Sequence, residues 1–493
     1  MPRRPSIVAY LFVFLAVSGG CENKDEAATR ASQQPNIILV SIDSLRADHL
    51  GCYGYERPTS PTIDRLAAEG VRFDNAISTS SWTLPAHAAM FTGLYNSAHA
   101  IVDTGMRLAD EHLTLAEQLS AGGYATAGFF GGPHLHPTFG LAQGFAEYFN
   151  CMMPLVEMGD EAEVPDESHH LSHVDITGPR TIEKLTTWLE TAKLERPLFL
   201  FLHLWDVHYD YIPPSRYVEM FDPDYGGDVT AENYMRNGAI NPKMTTRDLE
   251  HVVALYDGEI RFTDENLEQM LAVLDRHGEL DNTLIVITSD HGDEFFEHGW
   301  KGHQRTLFEE MVRVPLIMHW PGHLDSGLVV EDQVCLIDLL PTLLSLAGVP
   351  LGSEVQGRDL SPLLRGKALP VQSALCELLV DDRDYRALRT NGWKVVLDRP
   401  AQRAFFHDLR ADPRERRPLA QMTERFRAAL TELRQVRNAS IAFGQRLGRT
   451  ADDAQLSDEL EARLRSLGYL DDQAEAANTQ PAASQPRPPP DLP

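Results

Sequence analysis

Two aspartates and a histidine stand where apolar runs end. Asp43 follows Asn36–Ile42 (NIILVSI), and Asp290-His291 follows Leu284–Thr288 (LIVIT) after one serine. Brought together, two carboxylates and an imidazole would repel and desolvate one another unless a cation joined them. A lone aspartate at a strand end is often just a helix cap. Two such ends, the second continuing as SDHGDEF, point to a bound metal. A hydroxyl stands out in Ser81–Gly93 (SWTLPAHAAMFTG). Pro85 suits a first helical turn and Ala86–Phe91 continues it, which puts Thr83 at the helix start. Free N–H groups and the positive dipole end stabilise an anion there. A threonine hydroxyl is a weak nucleophile that needs a metal or base beside it. The alternative is that Thr83 simply caps the helix. A third apolar run, Leu198–Leu204 (LFLFLHL), ends near Asp206 and His208. His203, nearer its interior, fits a substrate contact or a satisfied core histidine equally well.

These residues need a scaffold that gathers strand ends. Continuous apolar runs suit strands buried on both faces of a parallel sheet. Tyr124–Phe130 and Val314–Trp320 read as further strands. Between the strands lie helical patterns: Thr62–Glu69 behind Ser60-Pro61, Leu113–Ala121, Thr181–Ala192, Thr246–Arg276 and Asp338–Ala347. Alternation of this kind predicts an α/β fold, a doubly wound and mostly parallel sheet with its chemistry at the carboxyl ends of strands. Beyond about residue 365 the pattern changes. Tyr385–Thr390 and Trp393–Asp398 flank Asn391-Gly392, a type I′ hairpin signal. Arg403–Leu409 can add a strand, and helical patterns follow at Thr423–Arg437 and Leu456–Leu467. The expected division is a signal peptide (1–20), a polar tether (21–35), a catalytic domain (36–365), a small C-terminal α+β subdomain (366–470) and a disordered tail (471–493).

The 493 residues carry 44 basic and 72 acidic side chains, a formal charge of −28. That sign argues against nonspecific binding to nucleic acid or anionic lipid. It does not exclude an anionic substrate, since one metal ion inverts the local field. Arg3 and Arg4 precede the apolar stretch Ile7–Val17, which is too short to span a bilayer and reads as a secretory signal. Cys21 follows Ser18-Gly19-Gly20 as in a lipoprotein box, although Ser18 stands where an aliphatic residue is usual. The expectation is an exported protein of the periplasm or cell envelope, lipid-anchored at Cys21; plain cleavage and release is the alternative. Cys52, Cys151, Cys335 and Cys376 would then meet an oxidising compartment.

The ordered motifs PNIILVSIDSLRADHLGCYGY, SPTIDRLAAEGVRF, SWTLPAHAAMFTG, ITSDHGDEFFEHG and LFEEMVRVPLIM resemble the sulfatase branch of the alkaline phosphatase superfamily. GRDLSPLLRG and FHDLRADPRE resemble its C-terminal elements, so the likeness spans about Pro35–Leu419. The resemblance implies an alkaline-phosphatase-like fold with a small C-terminal sheet. It implies that Asp43, Asp290 and His291, with Thr83 in the nucleophile slot, bind one divalent cation. His208 matches the histidine that binds substrate or protonates the leaving oxygen. His87 fills an arginine slot. The family's lysine slot falls on Gln304, with His303 beside it and Lys301 close by. His303 is the preferred substitute, and His87, Lys301 and His203 are expected to contact the substrate.

The departures shape the expected chemistry. True sulfatases convert the Cys or Ser of a C/S-x-P-x-R pentad to formylglycine, whereas this pentad is Thr83-Leu84-Pro85-Ala86-His87. Ser44 stands where a second aspartate is common. His291 replaces an asparagine, which favours Mn or Zn over Ca or Mg. Threonine nucleophiles occur in relatives acting on phosphate esters. A phosphothreonine is chemically ordinary, while a sulfothreonine has no easy exit. The expectation is therefore a metal-dependent hydrolase of phosphate esters ahead of sulfate esters, acting on a small molecule, glycan or lipid head group. An arylsulfatase-like enzyme, a phosphoglycerol-type transferase and a non-catalytic binding lipoprotein are the other readings.

Overall fold

The computed structural model describes residues 34–153, 176–192, 196–280, 282–419, 421–467 and 469–470. The signal segment, Cys21, most of the tether and the C-terminal tail lie outside the described residues. A nine-stranded sheet forms the centre. Its strands are β1 (Asn36–Ile42), β2 (Val71–Ile77), β3 (Ala125–Phe130), β4 (Glu147–Asn150), β5 (Leu198–Leu204), β6 (Thr283–Ser289), β7 (Arg313–Val314), β8 (Leu316–His319) and β9 (Leu328–Cys335). The order is β7-β2-β8-β6-β1-β5-β3-β4, with β9 also on β2. β1, β3, β4, β5 and β6 run parallel, and β8 joins β6 to β2 in antiparallel sense. The sheet is mostly parallel, as expected. Val314–Trp320, read as one strand, is broken at Pro315 into β7 and β8, since proline cannot donate to a ladder.

Strand β1 lies at the middle, and its side chains alternate between two cores. Ile37 and Leu39 join one apolar cluster; Ile38, Val40 and Ile42 join the other. The helices covering the two faces include α1 (Pro61–Ala68), α2 (Thr83–Thr92), α3 (Leu115–Ala121), α4 (Gly178–Thr191), α5 (Thr246–Arg276) and α6 (Leu339–Leu346). Parallel register pairs Ile42 with both Leu204 and Ser289. Asp43, Trp205 and Asp290 therefore leave the sheet at one level, which brings the polar residues of three distant segments together.

A second sheet of β10 (Ala374–Val380), β11 (Arg383–Thr390), β12 (Trp393–Asp398) and β13 (Arg403–His407) is an antiparallel meander backed by α7 (Glu424–Arg446). The hairpin at Asn391-Gly392 forms, but neither residue takes positive φ, so the turn is not type I′. The Thr390 hydroxyl instead accepts from the Gly392 and Trp393 N–H groups and shapes the turn. Buried Arg389 and Lys394 pair with Glu309 of the first domain and lock the sheets together. Beyond α7 the chain returns to the catalytic side. Ala451–Asp453 pairs with Met106–Leu108, and α8 (Asp458–Ser466) packs beside Pro133–Leu135. Ala451–Asp453 and α8, expected within the C-terminal subdomain, thus pack against elements of the first domain. Among the described residues no helix is long and apolar enough to cross a membrane.

Candidate active site

Asp43, Thr83, Asp290 and His291 meet at the carboxyl end of the central strands, all buried. Thr83 Oγ1 donates to Asp43 Oδ2 at 3.3 Å and lies 3.4 Å from His291 Nε2. The same Nε2 is 3.4 Å from Asp290 Oδ2 and 3.8 Å from Asp43 Oδ1. Thr83 is the first residue of α2, while Trp82 is its extended N-cap and supplies no side-chain cap bond. The Thr83 hydroxyl faces the carboxylate and the imidazole instead of a backbone N–H. Gly292 lets the Asp290-His291 turn approach its neighbour, since a Cβ there would lie 2.1 Å from the Glu310 carbonyl oxygen.

The electrostatics are those of a cation-binding pocket. Burial raises Asp43 to about 6, partly offset by His291. Burial and the Asp43 charge push Asp290 up as well. Burial opposes charging of His291, but Asp290, Asp43 and Asp293 outweigh it and raise its pKa. Hydrogen bonds fix the imidazole lone pairs. His291 Nδ1 donates to the Gly292 carbonyl at 3.0 Å, and His203 Nδ1 donates to the Gly131 carbonyl at 2.6 Å. A neutral ring with its proton on Nδ1 presents a lone pair at Nε2. His203 Nε2 makes no hydrogen bond and lies 3.4 Å from Asp43 Oδ2; Asp290 Oδ2 likewise makes no hydrogen bond and lies 3.4 Å from His291 Nε2. Orphaned buried acceptors converging on one point are the pattern a metal resolves. Their spacings approach the ~3.0–3.4 Å edges of a shell of ligands about 2.1 Å from one ion.

Residues 35–349 match the Sulfatase family, and residues 296–438 match the C-terminal domain of N-sulphoglucosamine sulphohydrolase. The chain belongs to the Sulfatase family. It is an enzyme of the ester-hydrolase class. It is 24% identical to an N-acetylglucosamine-6-O-sulfatase of Bacteroides thetaiotaomicron, over 84% of this chain and 87% of that one. Its fold superposes on a phosphonate monoester hydrolase of Agrobacterium radiobacter with a TM-score of 0.67 at 22% identity, covering 83% and 96%. A structure solved with its substrate D-glucosamine-2-N,6-O-disulfate gives 0.64 at 21% identity, covering 84% and 99%. At such identities these superpositions speak to the fold.

In this sulfatase-family chain, His303 and His208 flank the acidic cluster. The His303 ring is 4.5 Å from that of His291 and 4.9 Å from that of His208. Asp293 Oδ1 accepts from His303 Nδ1 at 2.8 Å, and the Tyr211 hydroxyl donates to Asp293 Oδ2. His208 stacks on Trp205 at 3.8 Å. Three expected substrate contacts sit differently. The Lys301 ammonium donates to the Tyr234, Asn237 and Ile240 carbonyls, so its protons are spent on holding that loop. His87 is buried, with Nδ1 on the Thr83 carbonyl and Nε2 on the Ser41 hydroxyl, which makes it a support beneath Asp290. His203 faces Asp43 from within the sheet. Two residues at the site were not singled out from sequence. His134 follows the carboxyl end of β3, is buried with both ring nitrogens unpartnered, and is held by burial down to about 3. Its position just after an apolar run was the available signal. Tyr469, at the far end of the described chain, bonds both His208 and His303. No periodicity announces it.

Proposed function

We propose that the protein is an exported, metal-dependent hydrolase that cleaves phosphate esters ahead of sulfate esters through Thr83. The observation that carries this reading is the Thr83 hydroxyl. It stands at a helix N-terminus within 3.4 Å of both Asp43 and His291 and makes no capping bond. Asp43, Asp290, His291 and Thr83 would hold the cation, with His203 Nε2 as a further donor. When bound, the ion neutralises the ester's negative charge and makes the hydroxyl easier to ionise. An imidazole donor set suits Mn or Zn.

Asp43 Oδ2, the acceptor of the Thr83 proton, is placed to take it as Oγ1 attacks phosphorus. The Oγ1–P bond forms and the P–O bond to the alcohol breaks, with free N–H groups of α2 facing the developing charge. His208 or His303 protonates the departing oxygen. The same histidine then takes a proton from water. The water oxygen bonds phosphorus, the Oγ1–P bond breaks, and Thr83 regains its hydroxyl. A pentad with threonine first and histidine last supports phosphoryl over sulfuryl transfer, as argued above. The names of the curated relatives favour a second reading, a sulfuric ester hydrolase acting on a sulfated glycan. Aryl phosphate, phosphodiester, phosphonate and sulfate substrates, each tested with Mn, Zn, Ca and Mg, separate the two. Faster turnover of a phospho-ester supports the first. Turnover of sulfate alone selects the second. No turnover by fully metallated protein removes both.

A further inference from the structure

Tyr469 occupies a position that a substrate would need. Its hydroxyl lies 2.9 Å from His208 Nε2 and 3.2 Å from His303 Nε2. The other nitrogen of each ring is committed, to the Tyr209 carbonyl at 2.5 Å and to Asp293 at 2.8 Å. Both histidines therefore present Nε2 to the same phenol oxygen. The ring stands edge-on to His134 with centroids 4.4 Å apart. The residue reaches the site from just beyond α8, with its N–H on the Leu464 carbonyl at 2.9 Å. Leu460, Leu464 and Leu467 seat that helix in the body of the protein, and Arg463 binds the Met153 carbonyl.

A proton passes to a leaving oxygen only when that oxygen sits about 2.6–3.2 Å from the donor nitrogen. On both histidines the phenol oxygen already fills that position, and two oxygens cannot share it. We propose that Tyr469 is a built-in occupant of the leaving-group position, displaced when substrate binds, so that its release helps set which alcohols the enzyme accepts. This rests on the reading of His208 and His303 given above. Tyrosine is itself an aromatic alcohol, and its edge contact with His134 is the one a departing group would inherit. Alcohols borne on a ring, aryl or sugar, replace that contact better than open alkyl chains.

The test is steady-state kinetics on paired aryl and alkyl phosphate esters with wild type, Tyr469→Phe and Tyr469→Ala. Tyr469→Phe keeps the ring and deletes the competing oxygen. The phenol has one proton, which only one Nε2 can accept at a time, so KM should fall about two- to tenfold, with kcat within about twofold. Tyr469→Ala should also narrow the gap in kcat/KM between aryl and alkyl esters. A lower kcat with unchanged or raised KM would show that Tyr469 positions the histidines, and would overturn the proposal. Unchanged constants would overturn it too. His208→Gln and His303→Gln report on the underlying reading: if both keep wild-type kcat, that reading fails whatever Tyr469 does.

Discussion

Replacing Thr83 with valine separates a nucleophile from a helix start. The two side chains have nearly the same shape, so the buried site is neither emptied nor overfilled. What disappears is one hydroxyl, 3.3 Å from Asp43 Oδ2 and 3.4 Å from His291 Nε2. The Ser44 hydroxyl bonds Asp43 Oδ1 at 3.0 Å, so the loss falls on the buried Oδ2 and should cost about 1–3 kcal/mol in metal-free protein. Thermal melting should shift by only a few degrees. Metal content should persist, because Asp43, Asp290 and His291 keep their donor atoms. Turnover should fall at least ~1000-fold, about 4 kcal/mol of barrier, because no oxygen remains to form the covalent intermediate. Thr83→Ser should retain part of the rate: the hydroxyl survives, but the methyl that restricts its rotamer does not. The assays are metal analysis, melting curves and intact-protein mass spectrometry during turnover of an aryl phosphodiester, with the adduct mapped to the Thr83 peptide. Wild-type turnover by metallated Thr83→Val would refute the reasoning and leave Thr83 as a helix-starting residue.

His203→Phe should weaken metal binding at least ~10-fold in competition with a chelator, since Nε2 is removed while a ring still fills the site; unchanged affinity would show that His203 only supports Asp43. Glu294 is buried with Oε1 unpartnered, and burial raises it to about 8. Between pH about 4.5 and 8 the unfolded chain has lost this proton while the folded chain keeps it, so stability should fall as pH rises across that window. Glu294→Gln should flatten the decline and raise the melting temperature at pH 8 in chelator-treated protein; an unaltered pH profile would contradict this. If the N-terminal box is functional, Cys21→Ala should move the protein from the membrane to the soluble fraction, and unchanged fractionation would count against an acyl anchor.

What could be read from sequence follows from what each residue's neighbours had to be. β1 and β5 occupy the spans read from their apolar runs, because a strand covered on both faces has no polar alternative. β2 (VRFDNAI) and β9 (LVVEDQVC) were missed. Toward the sheet margin polar side chains interrupt the run: Arg72, Asp74, Asn75 and Asp332 are half-buried, Glu331 is exposed, and buried Gln333 donates to the Gln372 and Arg389 carbonyls. Asp43 and Asp290 were legible as ends of such runs, and parallel register then fixed their meeting. Lys301 and His303 show where linear reasoning stops. They lie two positions apart, yet one ammonium is spent on three loop carbonyls and the other side chain faces His291. Only the path of residues 234–240 decides between them. Tyr469 is the extreme case, 166 positions from His303 and joined to it only because the chain returns across the catalytic side. Thr83 lies between these limits. Its place at a helix start was visible, but a cap and a nucleophile differ only in what the hydroxyl faces. Here it faces a carboxylate and an imidazole delivered by strands far away in sequence, and those neighbours, more than the threonine itself, make the position reactive.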